Sequence, residues 1–138
     1  MSYSYNEFLE LGEEDYDKVI RFYCYEKGLS KLPENIAKCC QLEVLNCRDN
    51  GITELPEWIG NFTKLKHLHC NGNLLSRLPE SLGNCIQLEQ IYCADNLLTE
   101  LPESLGNCSQ LKHLSCPNNK LTELPESLGN CMKLKYIW

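Results

Sequence analysis

From residue 19 onward, apolar positions recur along the chain with a period of 23. Each cycle opens L-x-x-L-x-C, where apolar and variable residues alternate just before an Asn, as in a short strand with one face turned inward. Strands are predicted near 20–24, 43–47, 66–70, 89–93, 112–116 and 135–138. Asn50, Asn73, Asn96 and Asn119 follow the strands in register. An amide that both donates and accepts suits a buried turn between adjacent coils. The cycle continues L-x-x-L-P, where Pro fixes φ and stops further strand pairing. It closes on E-S-L-G-N-C, a short turn of helix or irregular return segment in which Gly permits a tight bend. The octapeptide LPESLGNC stands unchanged at 78–85, 101–108 and 124–131.

Rows 65–87, 88–110 and 111–133 match one another closely, and row 42–64 fits with Trp58, Ile59 and Phe62 in place of Ser, Leu and Cys. Row 19–41 is weaker, and a sixth row begins as LKYIW at 134–138. The unit LxxLxCxxNxLxxLPExLGNCxx resembles the leucine-rich repeat family, whose signature is LxxLxLxxN/CxL, with Cys at the third Leu position. The resemblance implies an α/β fold: a right-handed leucine-rich repeat solenoid with a single parallel β-sheet on its concave face and an asparagine ladder along one turn. A lone coil cannot bury its apolar side, whereas stacked coils share one continuous core. The chain divides into an N-terminal cap, 1–17, and a repeat domain, 18–138, of five repeats plus the first strand of a sixth. In the cap, Ser4 and Glu7 have capping-box spacing, and Phe8, Leu9 and Leu11 are placed to cover the first coil.

Charge and cysteine content narrow the function. A net charge of −6 argues against a nucleic-acid partner, which is held mainly by Lys and Arg on phosphates. No apolar run reaches the length of a membrane span, and the first 17 residues have neither the basic segment nor the hydrophobic stretch of a secretory signal. The ten cysteines fall into columns rather than pairs. Cys24, Cys47, Cys70, Cys93 and Cys116 share one; Cys39, Cys85, Cys108 and Cys131 share another, with Phe62 filling its gap and Cys40 outside both. Phe62 in that slot says the column wants apolar volume, so these thiols read as small buried hydrophobes. Cysteines in one column stack about 4.8 Å apart with parallel Cβ vectors, unsuited to disulfides. Reduced thiols imply a cytoplasmic compartment.

Function is expected where the repeats differ. The outward strand positions carry Tyr23, Arg48, His67, His69, Tyr92 and His113, an aromatic and Arg-rich face suited to protein recognition. In the resembled family, the concave sheet is where partners usually dock. The expected function is therefore a protein–protein interaction module with an unidentified protein partner. The LPESLGN style further resembles cytosolic leucine-rich proteins of bacteria, including effectors delivered into the host cytosol. Glu43, Lys66, Glu89 and Lys112 alternate in sign across strands and read as pairs, while Glu34, Glu57, Glu80, Glu103 and Glu126 read as a solvated rim. His67 and His69 have the spacing of a metal pair, but no third ligand flanks them. No catalytic residue, cofactor site, phosphate loop or nucleophile motif stands out. An alternative, structural role rests on Leu134, Ile137 and Trp138, an apolar edge suited to an antiparallel homodimer across the C-terminal strand.

Overall fold

The computed structural model describes residues 1–138. Seven strands form one parallel sheet in strict chain order, each paired with the next. They are β1 (Ser2–Ser4), β2 (Arg21–Tyr23), β3 (Val44–Asn46), β4 (His67–His69), β5 (Gln90–Tyr92), β6 (His113–Ser115) and β7 (Tyr136–Ile137). From β2 onward, register follows the repeat: Leu45 opposes Leu68, Leu68 opposes Ile91 and Ile91 opposes Leu114. The strands are two or three residues long, because only the x-L-x segment between the first Leu and the Cys is extended and paired.

Each coil returns through a five-residue 3-10 helix beginning at the Glu after Pro: Glu34–Lys38, Glu57–Asn61, Glu80–Asn84, Glu103–Asn107 and Glu126–Asn130. Pro supplies the extended N-cap, its φ near the value its ring imposes. In the three middle turns, Gly60, Gly83 and Gly106 permit close contact between coils. A Cβ on Gly83 would lie 2.5 Å from the backbone oxygen of Ser104, so this coil touches the next through bare backbone.

The Leu and Cys columns merge into one core of 34 buried residues running the length of the stack. All ten cysteines are free and nine are buried; Cys40 alone is exposed. Burial pushes the Cys24 thiol up to about 12 and the Cys39 and Cys85 thiols to about 11. These side chains therefore stay protonated at neutral pH and behave as apolar filler.

The asparagine ladder forms as expected. Asn73 accepts the Ile52 N–H at 3.0 Å and donates to the carbonyls of Cys47 and Cys70, both at 3.0 Å. Asn96 repeats this one coil on, accepting from Leu75 and donating to Cys70 and Cys93. Each amide thus bonds its own coil and the one before it.

The N-terminal segment departs from expectation in two respects. It supplies a strand of its own: Ser2, Tyr3 and Ser4 pair with Arg21, Phe22 and Tyr23, making the sheet seven strands rather than six. The helix α1 (Tyr5–Leu9) follows directly, with Ser4 as its N-cap and a complete capping box to Glu7. Phe8 is buried against Tyr16 and Phe22, and Leu11 packs on the core at partial exposure. Leu9 does not cover the core. It is 55% exposed, because the five-residue helix turns only its Phe8 side to the first coil. No helix is long and apolar enough to cross a membrane.

Candidate functional site

Side chains flanking the inward Leu of each strand point to the opposite face of the sheet. One outward column runs Ser2, Arg21, Val44, His67, Gln90, His113 and Tyr136, and the next runs Ser4, Tyr23, Asn46, His69, Tyr92 and Ser115. A third, just past the strands, holds Tyr25, Arg48, Asn71, Ala94 and Pro117. The six residues singled out from the sequence therefore share one surface, but they fall into three groups.

His69 stacks on Tyr92 with ring centroids 4.8 Å apart and planes 10° from parallel. Burial first, then the neighbouring His67 and Arg48, hold the His69 pKa below its ordinary 6.5. His67 Nδ1 is buried without a hydrogen-bond partner. No set of three or more His, Cys, Asp or Glu side chains is placed to hold a metal ion.

His113 lies two strands away and stacks on Tyr136 at 4.9 Å, which in turn stacks on Trp138 at 5.5 Å. This places Trp138, read from the sequence as part of a self-association edge, in the same aromatic row as His113. Leu134 is partly buried against the core, whereas Ile137 and Trp138 are 45% and 58% exposed.

At the N-terminal end, Arg48 lies over the Tyr25 ring at 5.0 Å, with its Nε 3.5 Å from Asp49. Asn46 accepts the Arg48 backbone N–H through Oδ1 at 3.3 Å. Together with Tyr23, these residues line a cavity of about 420 Å³ completed by Ser2, Tyr3, Ser4 and Glu7. The Glu7 carboxylate accepts the Ser4 N–H at 2.8 Å and the Ser4 hydroxyl at 2.6 Å, which lowers its pKa. Sequence reasoning missed the contribution of the first seven residues, since they lie outside the repeat register. The alternation of Ser2, Tyr3 and Ser4 is the signal that marks them as a strand. Tyr25 shares the Arg48 column by alternation, but its place under Arg48 depends on a rotamer.

Charge is sorted across the molecule. The three outward columns of the repeats contain Arg21, Arg48 and three histidines, and no Asp or Glu. On one margin, Lys66 pairs with Glu43 at 3.3 Å and Lys112 with Glu89 at 2.6 Å, the alternating pairs expected from the sequence. On the other margin, Glu26, Asp49 and Asp95 occupy left-handed turns with φ of 52° to 53°. The five pentapeptides ending L-P-E, on the return side of the coils, hold eight glutamates against Lys31 and Arg77, a surplus equal to the chain's formal charge of −6. Glu57 and Glu80 accept the backbone N–H groups of Ser81 and Ser104 on the next coil, so this rim also braces the stack.

Comparison with known proteins bears on the repeat. A family model described as "Leucine Rich repeats (2 copies)" matches residues 40–84, and one described as "Leucine Rich Repeat" matches 110–131. No curated protein matches the chain. Among solved structures, a leucine-rich repeat protein of Leptospira interrogans covers the whole chain at 25% identity with a TM-score of 0.78. The BIR2 ectodomain of Arabidopsis thaliana covers 79% of it at 26% identity and 0.71. An internalin of Listeria monocytogenes covers 86% at 22% identity and 0.64, a likeness of fold alone. The chain spans 41%, 60% and 33% of those three proteins respectively, less than two thirds of each.

Proposed function

The chain belongs to the leucine-rich repeat family, and from that premise we propose that it acts by binding, with a partner protein docked on the concave sheet face. Proteins of this fold are typically interaction modules and generally not enzymes. The reading rests on one observation: the inward columns repeat almost without change, while the outward ones vary and gather preordered aromatic and Arg contacts, His69 on Tyr92 and Arg48 on Tyr25. Stacked side chains lose less freedom on association, and aromatic and Arg residues dominate interface hot spots. Residues 1–17 fit this reading as an N-terminal cap that also lends the face its first strand. The test compares proteins retained by the wild-type chain with those retained by Arg48→Ala and Tyr92→Ala chains of matched thermal stability. Each substitution is expected to weaken the partner by about 1–2 kcal/mol or more. Retention unchanged in both would move the site off this face.

A second reading, self-association, is favoured by the exposure of Ile137 and Trp138 at β7, the last strand of the sheet. Unpaired edges recruit further strands. Sedimentation of the 138-residue chain at micromolar concentration, with and without Ile137→Glu, tests it: a monomer in both cases removes this reading. The reduced thiols further support a cytoplasmic setting, the host cytosol in the case of a bacterial effector. Fusion to a translocation reporter tests the effector role.

A further inference from the structure

The absence of carboxylates from the centre of the concave face is out of keeping with a chain that holds 19 acidic residues against 13 basic ones. Resting on the concave-face reading above, we infer that the partner presents an acidic, extended segment to this face, and that the three histidines make its capture tighter as pH falls. Three observations carry this. The outward columns of the repeats hold two arginines and three histidines among neutral residues, with every carboxylate at a margin. Glu43 and Glu89 are already occupied by Lys66 and Lys112, and Glu7 by Ser4. Arg48 lies over the Tyr25 ring and approaches Asp49 through Nε, which leaves its outer guanidinium nitrogens for a second, bidentate carboxylate.

The histidines set the direction of the pH effect. His69 faces Asn46 and Arg48 on one side and Tyr92 on the other, with His67 beside it on the same strand. His67 sits between Val44 and Gln90 with Lys66 next to it, and Glu43 and Glu89 lie beside those two neighbours, Glu89 within range of its charge. His113 sits between Gln90 and Tyr136, flanked by Lys112 and Lys135. These surroundings are neutral or positive apart from the paired Glu43 and Glu89, so a proton on His69 finds little compensation in the free protein. A bound carboxylate supplies it, and binding takes up protons. A nucleic-acid strand would also bring negative charge, but two arginines among aromatic side chains, on a chain of net −6, make a poor phosphate track.

The probe is a fluorescent octa-aspartate, with octa-lysine, octa-asparagine and a dT12 oligonucleotide beside it, titrated against the 138-residue chain at about pH 7.5 and about pH 5.5, where aspartate remains ionised. Octa-aspartate is expected to bind best, at least about threefold tighter at the lower pH. Arg48→Gln is expected to weaken it by about tenfold, with Arg48→Lys weakened nearly as much because the fork is lost. The triple variant His67→Gln, His69→Gln, His113→Gln is expected to lose the pH effect, whatever affinity it retains at the higher pH. Circular dichroism melts identify any variant that fails to fold, in which case the pH effect in the wild-type chain decides. Failure of octa-aspartate to bind at either pH, tighter binding of dT12, or a pH effect of opposite sign overturns the inference. If octa-lysine binds instead and is lost on Tyr92→Ala, the acidic class is wrong while the concave face stands. If octa-aspartate binds equally to the Arg48 and Tyr92 variants, the concave-face reading fails with it.

Discussion

Replacing Asn73 by Ala removes one rung of the ladder and tests how much of the coil-to-coil stacking it holds. Asn73 is 6% exposed, so water does not readily replace what its amide provides. Its loss leaves the Ile52 N–H with no acceptor, since Asn73 Oδ1 is that group's one partner. A buried orphan of this kind is destabilising by about 1–3 kcal/mol. The two carbonyls fare better: Cys47 still receives Asn50 and Cys70 still receives Asn96. Each loses a second bond worth about 0.5–1.5 kcal/mol. The sum is about 2–6 kcal/mol, a large share of the roughly 5–15 kcal/mol that holds an ordinary domain together. Urea unfolding followed by circular dichroism measures it, and in a thermal melt a drop in Tm of about 14 °C is expected from the middle of that range. Asn50→Ala is the internal control, because its acceptor oxygen serves Lys27 and Leu29 at the more exposed first turn, where water substitutes. A loss below about 1 kcal/mol for Asn73→Ala, or an equal loss for Asn50→Ala, would refute the orphaned-donor argument.

Three other outcomes follow from the same geometry. Under native conditions a thiol reagent is expected to label Cys40 quickly and the other nine cysteines only after denaturation; rapid native labelling of several would show that the columns are not sealed. Gly83→Ala is expected to destabilise by about 1–3 kcal/mol through overpacking against Ser104, whereas Gly129→Ala, with nothing within 4 Å of the new Cβ, is expected to be neutral or slightly stabilising by urea titration; equal effects would remove the close-contact explanation. Because the fold holds the His69 pKa below 6.5, the unfolded chain takes up that proton more readily. The His69 contribution to stability is therefore complete above about pH 6.5 and declines as pH falls through and below that value, until His69 protonates in the fold as well. His69→Gln should flatten the profile of unfolding free energy across that window, and an unchanged slope would assign it to other groups.

Much of the fold was legible because the period is one residue class per column. Cysteine in place of leucine, Phe62 in a cysteine slot and Asn at one fixed turn each state what a position must do, and stacking multiplies the statement. The first strand was hidden because Ser2 to Ser4 lie 19 residues before their partners rather than 23, so no register exposes them. Leu9 was misjudged because a hydrophobic residue in a five-residue helix has no second turn to fix which side it shows. For the site, the columns follow from strand alternation, and so does the membership of all six residues. What lies beyond alternation is side-chain torsion: whether His69 lies flat on Tyr92, or Arg48 on Tyr25, depends on rotamers that neighbouring strands select. The cavity beside Arg48 needed both β1 and those rotamers.

The verbatim repetition of LPESLGNC has a kinetic consequence. At Gly83 and Gly106 the same backbone contact is made with Ser104 and Ser127, by identical residues on either side. A coil in this stretch therefore fits its neighbour's place almost as well as its own, and a chain that docks one whole repeat out of step meets little local penalty. Such slipped arrangements are traps, because most native-like contacts must be undone to escape them. The row bearing Trp58 and Phe62 breaks the degeneracy, since its aromatic pair, 5.7 Å apart, has no counterpart elsewhere in the stack. Refolding that starts from this odd coil and the capping box has a reference point from which the identical coils can be counted. Exchanging Trp58 and Phe62 for the Ser and Cys of the other rows would leave the final structure much as it is and lengthen the search for it.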